Sequence, residues 1–286
     1  MTIKEITDKI LEYHPKFDAF YDGCDGFKSG NPDAECTGIV SALVPTVDVI
    51  KRTAELGCNL LYVHEPSYYS TPDYPDWRAG FENKIYEEKK ALLDQYGIAI
   101  WRDHDHTHAH RPDGIFTGVI KYLGWEQYRV PCETEGMTML FEFPDMTVGK
   151  MNAYLKEKLS LNGIRYIGNE EDRIRKVAMI GHLLPNIFEH QPTTGDSFCP
   201  EYATNVIRLM EQENVDAIIP GEVIDWTVMS YIRDAVQLGK VKAAFNIGHF
   251  NLEELGMKYA ADWIPGVIEN AVPVHYIPSE DIYKFE

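Results

Sequence analysis

The feature that most constrains the fold of this chain is a repeated alternation of short apolar runs with segments of helical periodicity. "GIVSALVPT" (38–46) and "NLLYVHEP" (59–66) are apolar and rich in branched side chains, which is typical of buried strands. Between them, "VDVIKRTAELG" places Val47, Ile50 and Ala54 on one face, as a helix would. Repeated strand–helix–strand units form mainly parallel sheets with helices on their faces. The sequence therefore predicts an α/β fold.

The alternation is interrupted once, and this predicts two lobes. We expect an N-terminal α/β lobe over 1–130, a crossover segment over 131–175 and a C-terminal α/β lobe over 176–286, together forming one compact unit. "VDVIKRTAELGCNLLYVHEP" and "WTVMSYIRDAVQLGKVKAAFNIGHF" share a plan of helix, Leu-Gly, apolar strand and terminal histidine. Ligands of open α/β sheets bind at the carboxyl ends of the strands. We therefore expect the two lobes to face one cleft, each contributing a histidine.

The composition narrows the class of partner and the compartment. The formal charge is −18, with 45 acidic against 27 basic residues, which argues against nucleic acid or an anionic membrane as the main partner. The five cysteines (Cys24, Cys36, Cys58, Cys132 and Cys199) form no CxxC pair, which argues against a disulfide framework. No apolar run approaches the roughly 18 residues of a transmembrane helix, and the first residues lack the apolar core of a signal peptide. We expect a reduced cytoplasmic protein that acts on a small molecule.

The segment "WRDHDHTHAHRPDG" (101–114) is the strongest chemical signal. It holds four of the ten histidines at alternate positions, His104, His106, His108 and His110. On an extended backbone all four would share one face, whereas a turn would bring His104 and His108 together instead. Imidazoles bind zinc, manganese, iron, cobalt or nickel. Because the segment leaves an apolar strand directly, a metal site is favoured over an exposed histidine-rich loop.

Two other strand ends carry histidine with an acid. His64 and Glu65 follow the apolar run "LLYV", and "GHFNLEELG" places His249 four residues before Glu253. Asn251 is a plausible N-cap for the helix that follows, whose first turn would put His249 and Glu253 on one side. Three strand ends with metal-ligand side chains, far apart in sequence, together predict a metal centre.

The sequence also offers groups for proton transfer. "IIPGEV" places Glu222 after another apolar strand, where a carboxylate beside a metal would act as a general base or orient a ligand. His106 is the second candidate. No phosphate-binding loop and no G-x-S-x-G elbow is present, so metal-assisted chemistry is favoured.

Taken together, these segments resemble the Nif-three-like proteins, which are often described as type-two homologues of GTP cyclohydrolase I. The resemblance covers nearly the whole chain and is carried by "DGFKSG", "TGIVSALVPTVDVIKRTAELGCNLLYVHEP", the strand into the histidine segment, "PGEV" and "GHFNLEELGMKYAADWI". It implies two α/β lobes without a large middle insertion, two divalent metal ions and a homo-hexameric ring.

Two positions depart from the family pattern. The family usually has two adjacent histidines where this chain has His64 and Glu65, and an aspartate four residues after a histidine where this chain has His104 and His108. We interpret this as a compensated exchange, in which His108 stands where the family has an aspartate and Glu65 supplies a carboxylate where the family has a histidine. A changed metal or the loss of one ion is the alternative interpretation. The metal ligands implied by the resemblance are His64, Glu65, His104, His108, His249 and Glu253. A register that uses His106 and His110 is the alternative.

Two functions from different classes follow. The first is a metal-dependent hydrolase, cyclohydrolase-like or phosphoesterase-like, in which a metal-activated water attacks a small-molecule substrate. The second is a non-catalytic scaffold or ligand-sensing protein whose metal site has a structural role. A barrel hydrolase with an H-x-H motif is less favoured, because the motif here falls more than a hundred residues into the chain.

Overall fold

The computed structural model describes residues 1–17, 20–71, 73, 80–132, 138–181 and 202–286. The chain divides into two compact units. The first comprises Met1–Ile120 and Glu253–Glu280, and the second comprises Lys121–Leu252 and Asp281–Glu286.

The first unit is a five-stranded sheet with helices. Its elements in chain order are α1 (Ile3–Tyr13), β1 (Gly26–Ser29), β2 (Ile39–Ala42), α2 (Val47–Glu55), β3 (Leu60–Val63), α3 (Lys84–Tyr96), β4 (Ala99–Arg102), α4 (Asp105–His108), α5 (Gly114–Leu123, which runs on into the second unit), α9 (His249–Val267, which begins in the second unit) and β11 (Val274–Tyr276). The strand order is β1-β4-β3-β2-β11. Among the described strands of this sheet, only β1 is antiparallel to its neighbour, so the sheet is mainly parallel.

Local sequence explains several of these elements. Thr2 caps α1 through its side chain, and Glu5 completes a capping box. Thr46 caps α2 in the same way, and Gly97 ends α3 in the left-handed conformation that glycine adopts without strain. Strands β2, β3 and β4 are buried along their whole length, as expected for parallel strands covered on both faces.

The parallel register of this sheet brings distant residues together. Val63 of β3 lies opposite Arg102 of β4, so both strands end at the same edge. His64 and Asp103 follow these last residues directly. The sheet therefore aligns the "HEP" motif with the histidine segment.

The second unit is built on a six-stranded sheet. Its further elements are β5 (Arg129–Val130), β6 (Thr138–Glu142), α6 (Val148–Lys158), β7 (Arg165–Ile167), β8 (Lys176–Ile180), α7 (Tyr202–Gln212), β9 (Ala217–Pro220), α8 (Val228–Gln237) and β10 (Ala243–Asn246), with one turn of 3-10 helix at Glu126–Tyr128. The strand order is β5-β6-β8-β9-β10-β7. Its core is formed by residues such as Leu140, Met210, Ile218 and Ile232.

The α/β prediction is confirmed, with differences of detail. Parallel pairing dominates the first sheet. In the second, within the part of the chain that the structure describes, β8–β9 and β9–β10 are parallel and the other three pairings are antiparallel. The segment that we expected to be a crossover, 131–175, contributes β6 and β7 to the second sheet, because β6 pairs with β8 and β7 with β10. The boundaries between the two units also lie near residues 120 and 252 rather than near 130 and 175. The reason is that all of β11 and most of α9 belong to the first unit. That the two lobes face one cleft stays a prediction.

Two local expectations differ from the structure. Asn251 lies inside α9, which begins at His249, and its side chain donates to the carbonyl of Ile247 instead of capping the helix. Cys24, Cys36 and Cys58 are free thiols, and Cys199 lies outside the described residues. No helix among the described residues is long and apolar enough to cross a membrane.

Candidate metal centre

His64 lies at the carboxyl end of β3 with its side chain fully buried. Its Nδ1 atom is 3.0 Å from the backbone carbonyl oxygen of Asp103. Because a carbonyl oxygen only accepts hydrogen bonds, we assign the ring proton to Nδ1. Nε2 of His64 therefore presents a lone pair.

The histidine segment leaves β4 and turns at once into the short helix α4. Asp25 stabilises this turn, since its carboxylate accepts from the backbone N–H groups of His104 (2.7 Å), Asp105 (3.1 Å) and His106 (2.9 Å). The turn brings His104 and His108 side by side, with ring centroids 4.8 Å apart. Of the two backbone geometries that the sequence left open, the structure has the turn.

Both of these histidines are held through Nδ1. His108 Nδ1 donates to Asp113 Oδ2 at 2.7 Å, and His104 Nδ1 to Asp105 Oδ1 at 2.8 Å. Carboxylates accept only, so these contacts place the ring protons on Nδ1 and the lone pairs on Nε2.

The three imidazoles converge. The ring centroid of His64 is 4.5 Å from that of His104 and 4.8 Å from that of His108, and one nitrogen from each ring lies within 4.8 Å of the others. Nε2 of His64 and Nε2 of His108 are 3.1 Å apart. Two lone pairs at this separation repel each other unless a proton or a cation lies between them. A divalent metal fits this donor set, because metal-binding histidines commonly donate their other N–H to a carbonyl or a carboxylate.

Two buried carboxylates adjoin the same ring. Glu65 and Glu253 each place an oxygen within 4.8 Å of the other and of a His64 nitrogen, and Glu253 Oε2 is 3.5 Å from His64 Nε2. The two residues are 6% and 0% exposed. The guanidinium of Arg102 lies 3.9 Å from Glu65 Oε2 and donates to the carbonyl of His64. The first unit thus brings together five of the six ligands implied by the resemblance.

The electrostatics of the rings differ. Burial, together with the neighbouring His108 and His104, lowers the pKa of His64 well below its usual value. Burial alone would also lower the pKa of His108, but the hydrogen bond to Asp113 and the charges of Asp113, Glu253 and Glu65 raise it above the usual value. Without a metal, a protonated His108 would donate to neutral His64, so a metal at this position would replace that proton.

Comparison with known proteins identifies the family. The family model described as Duf34/NIF3 (NGG1p interacting factor 3) matches residues 1–182. The chain belongs to the Duf34/NIF3 family. The resemblance inferred from the motifs is therefore confirmed.

Relatives of this Duf34/NIF3 protein are distant in sequence and close in fold. It is 23% identical over 235 residues to the "GTP cyclohydrolase 1 type 2 homolog" of Clostridium acetobutylicum, covering 80% of this chain and 76% of that protein. The homologue of the same name in Clostridium perfringens is 24% identical and covers 80% and 78%. A crystal structure of a Bacillus cereus protein related to NIF3 matches with a TM-score of 0.69 at 15% identity, over 100% of this chain and 99% of that one.

Two residues that the sequence analysis assigned to the functional site of this Duf34/NIF3 protein lie in contact in the second unit. Glu222 follows β9 and His249 follows β10, which are adjacent parallel strands. Glu222 Oε1 is 3.3 Å from His249 Nδ1. Their meeting was not anticipated, although both were assigned to strand ends. That His249 is a metal ligand, and that Glu222 is a general base, stay predictions.

The remaining two histidines of the segment face other partners. His106 Nδ1 lies 2.6 Å from Asp25 Oδ2, and His110 Nε2 lies 2.7 Å from Nδ1 of the buried His14. Burial and His14 lower the pKa of His110. The geometry groups His104 and His108 with His64, and it does not bring His106 or His110 into that group.

Several residues at this site were missed from the sequence. Asp25, Asp103 and Asp113 hold the histidines or the turn that carries them, and His14 reaches the segment from α1. Asp113 had a usable signal, since it lies five residues after His108 and just before a helix. Asp25 is the first residue of the "DGFKSG" segment that carries the resemblance, but nothing in that segment indicated its contact with the histidine segment. His14 had no signal, because only the folded chain brings it to the histidine segment.

Proposed function

We propose that this protein binds two divalent metal ions at a centre formed by His64, Glu65, His104, His108 and Glu253. One observation carries the proposal, namely the convergence of three imidazoles and two buried carboxylates around His64, with Nε2 of His64 and Nε2 of His108 3.1 Å apart. A single proton on His108 would relieve the repulsion between those two nitrogens, but it would leave two buried carboxylates beside them, whereas a divalent cation would be bound by all of these donors.

The carboxylates complete the donor set. Two divalent ions close together repel each other, and neutral imidazoles do not offset this repulsion. Glu65 and Glu253 supply two negative charges next to His64. This supports the compensated exchange, with Glu65 in the role of the carboxylate that His108 replaces.

We further propose that the protein is a hydrolase of a small molecule. A divalent ion in such a centre supplies a water with a pKa near neutrality. Asp25 holds His106 through Nδ1, an arrangement that fixes the tautomer of a ring that transfers protons. The name of the clostridial relatives points to the same class, since a cyclohydrolase opens a ring by adding water.

Metal content tests the site. Protein purified without chelator or histidine tag is dialysed and analysed for zinc, manganese, iron, cobalt and nickel. We expect His108→Ala to lose most of its metal and Glu65→Gln to lower the stoichiometry. His106→Ala, from the same helix but bonded to Asp25, is the matched control and retains more metal than His108→Ala. Full metal in both His108→Ala and Glu65→Gln would refute the assignment.

A second measurement separates the hydrolase from the non-catalytic alternative. Metal-loaded and chelator-stripped protein are compared on a panel of phosphoesters, cyclic amides and purine nucleotides. Turnover that disappears on stripping, returns with metal and falls in His108→Ala supports the hydrolase. A fully loaded protein that turns over none of the panel supports a scaffold or sensor.

A further inference from the structure

A cavity of about 200 Å³ lies in the first unit, at the side of the histidine segment that carries His110. Tyr13 of α1 and Trp263 of α9 form part of its wall, and their rings stack with centroids 4.6 Å apart and an interplanar angle of 21°. Tyr259 adds a third aromatic side chain. None of these three residues belongs to the proposed metal centre. Because Tyr13 and Trp263 stack on each other, each presents to the cavity only its ring edge or the face turned away from the other. Edge-to-face and offset contacts with such rings favour a flat aromatic ligand over an aliphatic one of equal size.

The polar side of the cavity is held in place by buried groups. His110 lies against Tyr13, with ring centroids 5.2 Å apart, and its Nε2 is 2.7 Å from His14 Nδ1. His14 is 3% exposed, and its Nε2 is 2.7 Å from Asp103 Oδ2. Because these contacts fix the imidazole of His110, it loses little conformational freedom when a ligand binds, and the cavity is largely preformed.

Arg111 is the one permanently charged side chain among the described residues that line the cavity. Its Nη1 atom donates to the backbone carbonyls of His108 and His110, both at 2.8 Å. These bonds fix the guanidinium and leave its other N–H groups to a ligand. One guanidinium matches one carboxylate. In a chain of net charge −18, a polyanion would meet repulsion that a single cation does not offset.

We propose that this cavity is a binding site for a monocyclic aromatic carboxylate, with the ring against Tyr13 and Trp263 and the carboxylate on Arg111. The volume agrees with this class, since a cavity of about 150 Å³ accommodates a benzene ring. The site shares no side chain with the proposed metal centre.

Benzoate is the probe, and its binding is followed by ligand-observed NMR titration of the full chain. A ligand of about nine non-hydrogen atoms should bind with a dissociation constant on the order of 1 mM. Cyclohexanecarboxylate, which keeps the charge and loses the flat ring, and benzyl alcohol, which keeps the ring and loses the charge, should each bind roughly tenfold more weakly.

Arg111→Gln should weaken benzoate roughly tenfold and leave benzyl alcohol unchanged. Tyr13→Leu should weaken both aromatic probes. Arg173→Gln and Tyr96→Leu remove an exposed arginine and a partly exposed tyrosine elsewhere, and they should change neither titration. Tyr13 is itself 45% exposed, so its replacement leaves the core intact.

Benzoate is also a metal ligand, so each titration is repeated on chelator-stripped protein. Binding that survives stripping and falls in Arg111→Gln supports the cavity, whether or not the metal proposal holds. Binding that disappears on stripping and is unchanged in Arg111→Gln would place benzoate on the metal and overturn the inference. Equal affinity for benzoate and cyclohexanecarboxylate would overturn it as well.

Discussion

Asp113→Asn should separate metal binding from helix capping, because Asp113 uses its two oxygens for different purposes. Oδ2 accepts from His108 Nδ1 at 2.7 Å, while Oδ1 accepts from the backbone N–H groups of Ile115 (2.9 Å) and Phe116 (3.0 Å) at the start of α5. The side chain is buried, with 6% of the residue exposed. Asparagine has one acceptor oxygen and one NH2 donor group. It therefore accepts either from the backbone N–H groups of α5 or from His108 Nδ1, but not from both.

We expect the amide oxygen to keep the helix cap and the NH2 group to face His108. His108 would then carry its proton on Nε2, and the lone pair directed at His64 would be lost. Replacing such a partner of a metal ligand typically costs 10–100-fold in metal affinity, or about 1.4–2.7 kcal/mol. The unfolding free energy of the metal-free protein should fall less in Asp113→Asn than in Asp113→Ala, since asparagine keeps the cap.

The assay is a competition titration with Co²⁺ and Zn²⁺, paired with denaturant unfolding of the stripped protein. Asp113→Ala should lose both metal affinity and about 0.5–2 kcal/mol of stability. Thr147→Ala, which removes the cap of α6, should lose stability alone. If Asp113→Asn keeps both its metal affinity and its stability, the assignment of the His108 proton to Nδ1 is wrong.

Three further predictions concern stability and assembly. Burial raises the pKa of Glu254 to about 7 in the folded protein. The folded state therefore retains a proton that the unfolded chain releases above about pH 4.5, and stability falls by about 3 kcal/mol between about pH 4.5 and pH 7 and then levels off. Glu254→Gln should remove this part of the pH dependence in denaturant unfolding at pH 5 and pH 8. Tyr62 donates to the buried Asp103 carboxylate at 2.9 Å, so Tyr62→Phe should lower the free energy of unfolding by about 1–3 kcal/mol. The hydroxyl of Tyr166 donates to Glu170 at the surface, so Tyr166→Phe, as the control, should change it by less than about 0.5 kcal/mol. Equal effects of the two substitutions would contradict this reasoning. Light scattering should give a homo-hexamer of roughly 200 kDa from chains of 32.7 kDa, and a monomer at micromolar concentration would exclude that assembly.

Much of the α/β framework was accessible from the sequence by itself. Strands β2, β3 and β4 are short apolar runs, and α2 and α3 carry helical periodicity with capping residues at their ends. These are local signals, because each depends on residues within one turn or one strand. Parallel pairing then aligned the strand ends, so the placement of His64 beside the histidine segment followed from pattern and topology.

Other features were decided only by the tertiary structure. Strand β1 has four residues and no alternation, and it exists because it pairs with β4. Strand β11 joins β2 from more than 200 residues away along the chain. The turn at α4 depends on Asp25, and Glu253 reaches His64 across 189 residues of sequence. No local pattern encodes these contacts, because their free energy appears only after the chain has closed long loops.

The histidine segment shows most clearly which features the sequence determined and which the tertiary structure decided. Its composition indicated a metal site and offered two pairs, His104 with His108 or His106 with His110. The sequence alone did not distinguish them, since both pairs have helical spacing. Asp25 on His106 and His14 on His110 separate the two pairs in space, and both partners come from other parts of the fold. The sequence thus determined which side chains were available for the site, and the tertiary hydrogen bonds determined which of them face His64.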